Sequence, residues 1–173
     1  MNSRLKATAL GVVTVALLCA GATANAAEPE ARGFYAGAMA GTTEFDDDGL
    51  CGDWDCNESD SGYGVFAGYK FLKYFAVEAR YSDFGMFDAT ALSAHAVGII
   101  PFGASGWEVF GQIGVGRMDD FETETVASAG LGVRFYPTPN LGFSLQTDAY
   151  VWEEYEDYYP GYGATQLAIH YLF

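Results

Sequence analysis

Gly163-Ala-Thr-Gln-Leu-Ala-Ile-His-Tyr-Leu-Phe173 is the stretch that decides how the rest of the chain is read. Leu167, Ile169, Tyr171 and Phe173 alternate with Gln166, Ala168, His170 and Leu172. This is the period of a β-strand with one apolar face and one mixed face. A last strand that presents a row of large apolar side chains needs a sheet to join. The segments before it are therefore expected to be further strands of one sheet.

Composition agrees. The 173 residues include 22 glycines, 12 tyrosines and 13 phenylalanines against 18% charged residues, and no long stretch has helical periodicity, so an all-β domain is expected. The N-terminus is different. Arg4 and Lys6 precede an apolar run from Ala7 to Ala22, and Ala24-Asn25-Ala26 supplies a small-x-small cleavage pattern. Residues 1–26 are read as a cleaved signal peptide, because the run falls short of the roughly 20 residues of a membrane-spanning helix. Residues 27–173 are then the mature domain. Cys19 lacks the small residue before it that lipid attachment requires, so no lipid anchor is expected.

Seven further strand-like segments precede Gly163–Phe173: Gly33–Gly41, Ser61–Phe71, Phe75–Phe84, Ala91–Ile100, Trp107–Met118, Val126–Tyr136 and Leu141–Trp152. Each has about the 9–11 residues that cross a bilayer at a tilt. The connections alternate in character. Leu72–Tyr74, Pro101–Gly106 and Pro137–Asn140 are short, whereas Thr42–Asp60, Gly85–Thr90, Asp119–Thr125 and Glu153–Tyr162 are longer or more polar. Short periplasmic turns opposite longer outward loops are the asymmetry of an outer-membrane barrel. The expected fold is an eight-stranded antiparallel up-and-down transmembrane β-barrel in the bacterial outer membrane, loops extracellular.

Parity then assigns faces. Phe34, Phe71, Phe75, Trp107, Phe135, Phe143, Tyr171 and Phe173 fall on the lipid side near the short turns, as an aromatic girdle. The other parity places Lys70, Glu78, Arg80, His95, Glu108, Gln112, Arg134, Ser144, Gln146, Asp148, Gln166 and His170 in the lumen. Three of these are cations and three are carboxylates. Buried charges need partners, so Glu78, Arg80 and Arg134 are read as members of a salt-bridge network that plugs the bore. A proton or ion relay is the alternative.

Gly68-Tyr-Lys-Phe-Leu-Lys-Tyr-Phe-Ala-Val-Glu-Ala-Arg-Tyr81, followed by Phe84-Gly85, resembles the second hairpin of the OmpA-type eight-stranded barrel family. Gly33–Gly41 is similar to that family's first strand and Ala129–Tyr136 to its sixth. The likeness spans Gly33–Phe173 and covers the transmembrane barrel alone, without a peptidoglycan-binding domain. It implies that Glu78 is the inward carboxylate of the family's lumen network. It also implies that Tyr171 and Phe173 form the assembly signal read by the barrel-assembly machinery. Met39 stands at an inward position where the best-known members carry Lys, and Arg134 where they carry Glu.

The formal charge of −15 is concentrated. Glu44, Asp46, Asp47, Asp48, Asp53, Asp55, Glu58 and Asp60 lie in the first long connection, Asp119, Asp120, Glu122 and Glu124 in the third, and Glu153, Glu154, Glu156 and Asp157 in the last. Such loops attract cations or basic partners and repel nucleic acid, or simply keep the barrel soluble at its rim. Asp53, Asp55 and Asn57 have the spacing of calcium ligands. However, Glu58 stands where an EF-hand needs Gly, so at most a weak divalent site is expected. Cys51 and Cys56, five positions apart in an exported loop, point to a disulfide worth about 2 kcal/mol.

No catalytic set is expected. Ser93 and His95 are both inward without a His-x-Ser motif, and Gly111-Gln-Ile-Gly114-Val-Gly116 precedes no helix that would make it a nucleotide loop. The functional expectation is a non-enzymatic, cofactor-free, monomeric barrel, surrounded by outer-membrane lipids, that acts in envelope integrity or surface interaction. A narrow porin-like channel and a soluble periplasmic lipocalin-like binder are the alternatives.

Overall fold

The computed structural model describes residues 32–46, 59–85, 89–103, 105–119, 123–151 and 161–173. The expected signal segment, the Cys51–Cys56 pair and the candidate ligands Asp53, Asp55 and Asn57 lie outside these residues.

Eight strands run in order: β1 (Gly33–Asp46), β2 (Ser59–Leu72), β3 (Phe75–Asp83), β4 (Thr90–Pro101), β5 (Trp107–Asp119), β6 (Thr123–Phe135), β7 (Leu141–Val151) and β8 (Gly161–Leu172). Each pairs antiparallel with its neighbours, and β1 pairs with β8, so the sheet is a closed barrel with no free edge. The C-terminal stretch closes it. Tyr35 is opposite Leu172 and Gly41 opposite Gln166 in the β1–β8 register. Asn140 holds the strand's end, its Nδ2 donating to the Leu172 carbonyl and its own carbonyl accepting from the Leu172 amide, both at 2.7 Å. The Phe173 amide donates to the Phe34 carbonyl at 2.8 Å.

Several strands extend beyond their expected ends. Glu44 and Asp60, expected in the first loop, belong to the β1–β2 ladder, where Thr43 is opposite Asp60 and Glu44 opposite Ser59. Asp46 pairs with Gly161 of β8, and Asp119 and Glu124 lie on β5 and β6. Acidic side chains do not stop a strand whose backbone still has a partner on each side, because backbone groups are best satisfied by continuing the ladder. The tight turn shortens to Lys73-Tyr74, since Leu72 pairs directly with Phe75. The register shift between Lys70 and Leu72 keeps Lys70 inward while Phe71 is exposed.

The polarity of the barrel is inverted relative to a soluble protein. Phe34 (67% exposed), Ile113 (69%), Leu131 (57%) and Leu167 (67%) face outward, while Lys70, Glu78, Arg80 and Asp148 are each no more than 3% exposed. A contiguous apolar surface on this scale requires lipid. The soluble lipocalin-like alternative fails on this point.

Bulky inward side chains are accommodated by glycines directly across the ladder. Tyr35 is opposite Gly68, Gly37 opposite Phe66, and Phe110 opposite Gly132. A methyl group on Gly132 would lie 2.6 Å from both the Phe110 ring and the Leu145 carbonyl oxygen. The carbonyl cannot move without disturbing the ladder. Gly132→Ala is therefore expected to destabilise the barrel by about 1–3 kcal/mol through overpacking, read as a lower denaturant midpoint of the refolded protein.

Candidate functional site

The lumen is the most highly organised part of the molecule, and its layers follow from the order of inward residues along each strand. At its centre is Arg80 on β3. Its Nη2 donates to Glu78 Oε1 at 2.6 Å and to Gln112 Oε1 at 3.0 Å, and its Nη1 donates to Asp148 Oδ2 at 2.9 Å. Gln146 Nε2 donates to Asp148 Oδ2 at 2.8 Å, and Gln112 Nε2 donates to Asp148 Oδ1. Tyr35 on β1 reaches across to donate its hydroxyl to Glu78 Oε2 at 3.0 Å. One guanidinium thus holds two carboxylates, and two amides and a phenol take up remaining lone pairs. This satisfies the condition under which buried charge is tolerated.

Nearer the short turns, Lys70 Nζ and Glu108 Oε1 form a second ion pair at 2.8 Å. Arg134 behaves differently from the expected salt bridge. Among the described residues no carboxylate is within ion-pair distance of it. Its guanidinium instead lies 4.6 Å from the Phe110 ring centre and 5.8 Å from that of Tyr35. A planar, weakly hydrated cation over an aromatic face gains electrostatic attraction without a carboxylate. His170 is packed by the rings of Tyr35, Phe66 and Tyr136, at 6.2, 6.2 and 5.2 Å. Ser144 and Gln166 are buried in the same wall.

Two apolar clusters share the bore with these groups. Tyr35, Met39, Phe66, Val97, Ile99, Phe110 and Leu172 fill the half toward the short turns. Phe84, Ala91, Met118, Val126, Tyr150 and Tyr162 close the half toward the long connections. There Phe84 stacks on Tyr162 at 4.9 Å and meets Tyr150 edge-on at 5.1 Å. Thr43 Oγ1 pins this lid by donating to the Phe84 carbonyl at 2.6 Å. Sequence reading anticipated the polar residues and missed these apolar lids. The available signal was the set of glycines at inward positions, each leaving space for a large neighbour.

Ser93 and His95, which form no sequence motif, are joined by a 2.8 Å contact between Oγ and Nε2. His95 Nδ1 has no hydrogen-bond partner among the described residues, so no third group orients the ring as a catalytic base requires. No group of three or more metal-binding side chains occurs among the described residues.

A family model for the outer membrane protein beta-barrel domain matches residues 13–158, most of the chain. The chain belongs to this outer-membrane barrel family. The match ends before β8, and the structure supplies the closing strand. Members of the family reside in the bacterial outer membrane, which accords with the inverted polarity described above. Among solved structures, Neisserial surface protein A and the N-terminal barrel of Pseudomonas aeruginosa OprF each superpose with a TM-score of 0.64 at 15% identity. Each covers 83% of this chain, with 99% and 100% of the respective structure aligned. The attachment invasion locus protein Ail of Yersinia pestis aligns at a TM-score of 0.55 and 17% identity, over 83% of this chain and 99% of its own. At these identities the likeness is one of fold. None of the curated proteins matches the sequence.

Proposed function

We propose that this protein is a non-enzymatic, non-conducting outer-membrane barrel that acts through its acidic long connections, facing the cell exterior, in envelope integrity or surface interaction. The observation that carries this reading is the layered bore. An ion passing through would have to part the Phe84–Tyr150–Tyr162 lid, the Arg80 cluster and the Phe66–Phe110 layer in turn. Each step breaks packing or strands a buried charge. The outer rim supports the second half of the reading. Glu44, Asp60 and Asp119 are exposed at the long-connection end, with Arg117 the accompanying cation among the described residues there. A negative rim selects cations or basic partners. Ail has been crystallised with the heparin analogue sucrose octasulfate, a polyanion; the rim of this chain would repel such a ligand.

Planar-bilayer recording of the purified barrel tests the proposal. The expected result is a silent membrane; stable unitary currents would establish the narrow channel in its place.

A further inference from the structure

The glycine run Gly111-Gln-Ile-Gly114-Val-Gly116 and the inward pair Ser93 and His95 meet on the inner wall of the barrel. His95 on β4 and Ser128 on β6 both stand directly across the ladder from Gly114 on β5, and Ser93 stands across from Gly116. The three side chains are buried, none more than 6% exposed. Because β5 has no side chain at either glycine, its neighbours lean over it. A Cβ on Gly116 would lie 2.7 Å from that of Ser93. One on Gly114 would lie 2.7 Å from each of three polar atoms: His95 Nδ1, Ser128 Oγ and the Ala94 carbonyl oxygen.

Two of these atoms have unmet hydrogen-bonding capacity. Neither His95 Nδ1 nor Ser128 Oγ has a partner among the described residues, and they do not bond each other. Both approach one point above Gly114 from opposite sides, so a single small molecule resting on the glycine reaches both. Without one, each atom would carry the full cost of its desolvation.

The chemistry of the three atoms selects that molecule. His95 Nε2 meets Ser93 Oγ at 2.8 Å. With the ring proton on Nε2, that nitrogen donates to Ser93 and Nδ1 accepts; with the proton on Nδ1, Ser93 donates to Nε2 and Nδ1 donates. The Ser128 hydroxyl turns to suit either, whereas the carbonyl only accepts. The carbonyl opposes an anion, and among the described residues no group of three His, Cys, Asp or Glu side chains is placed to hold a metal ion. Water, which both donates and accepts and is typically buried with about three polar partners, fits every combination.

We propose that one ordered water rests on Gly114, bonded to His95 Nδ1, Ser128 Oγ and the Ala94 carbonyl oxygen. It ties β4 to β6 across a strand that offers no side chain there, and it completes the hydrogen bonding of the His95 ring. It does not supply the charged group that a catalytic base needs.

A high-resolution crystal structure of the intact barrel tests this. Density for one water is expected within hydrogen-bond distance of all three atoms. Ser128→Val should abolish it, while Ser128→Thr, of nearly the same size but with the hydroxyl kept, should retain it. In solution, the ring-nitrogen NMR resonances of His95 are expected to shift in the valine variant and to stay in place in the threonine variant. An empty position in the parent, or His95 bonded directly to Ser128, would overturn the proposal without any variant having to fold. So would a peak that bromide replaces in a soaked crystal, since the site would then hold an anion, or density undiminished in Ser128→Val.

Discussion

Replacing Arg80 with Met is expected to lower the unfolding free energy of the barrel by about 3–5 kcal/mol, the cost of leaving buried carboxylates without their cation. The loss is not that of one contact. Glu78 and Asp148 are each 3% exposed and both are held by the same guanidinium, so the variant strands two charges at once. Hydrogen bonds from Tyr35, Gln112 and Gln146 remain, but neutral donors offset only part of the desolvation of a carboxylate. Adding Glu78→Gln and Asp148→Asn to the Arg80→Met background should recover most of the stability. Removing a buried ionic cluster as a whole is commonly close to neutral. Denaturant titration of the barrel refolded into vesicles measures both effects. An Arg80→Met midpoint equal to that of the parent would show that the cluster contributes nothing to stability.

The polar half of this site was legible in the sequence because it depends only on alternation. Once β3 is a strand, Glu78 and Arg80 share a face, and a lipid-exposed face cannot carry them. Which carboxylate each cation meets was not legible. Lys70 on β2 and Glu108 on β5 are separated by two intervening strands on the shorter way round the wall, and their contact across the bore depends on the stagger of the closed sheet. Counting charges suggested a carboxylate partner for Arg134, yet its guanidinium lies over the face of Phe110. The apolar lids were hidden for another reason. Phe66 and Phe110 share the inward parity of Lys70 and of Glu108 and Gln112, but alternation alone does not show where an inward ring has room to fold over the bore. Opposed glycines do, once the register is known. Strand ends were misplaced wherever composition was allowed to outweigh pairing, as for Glu44 and Asp60.

Truncating Phe173 to Ala is expected to reduce the amount of barrel reaching the outer membrane sharply while changing the stability of the assembled molecule by less than about 1 kcal/mol. The two effects separate because of where the residue stands. Phe173 is 71% exposed on the lipid side, and its ring meets Tyr171 edge-on at 5.2 Å, so little of its surface is removed from the surroundings by the fold. What holds the strand's end in place is backbone: the Phe173 amide on the Phe34 carbonyl and the two bonds between Leu172 and Asn140. Alanine retains all of these. An exposed aromatic that the finished barrel scarcely uses fits recognition during assembly, before β1 and β8 have paired. Quantifying folded, heat-modifiable barrel in outer-membrane fractions, alongside unfolding of the same variant refolded in vitro, distinguishes the two contributions. Normal membrane levels of Phe173→Ala would remove the assembly role. A stability loss matching the fall in abundance would instead make Phe173 a structural residue of the closing strand.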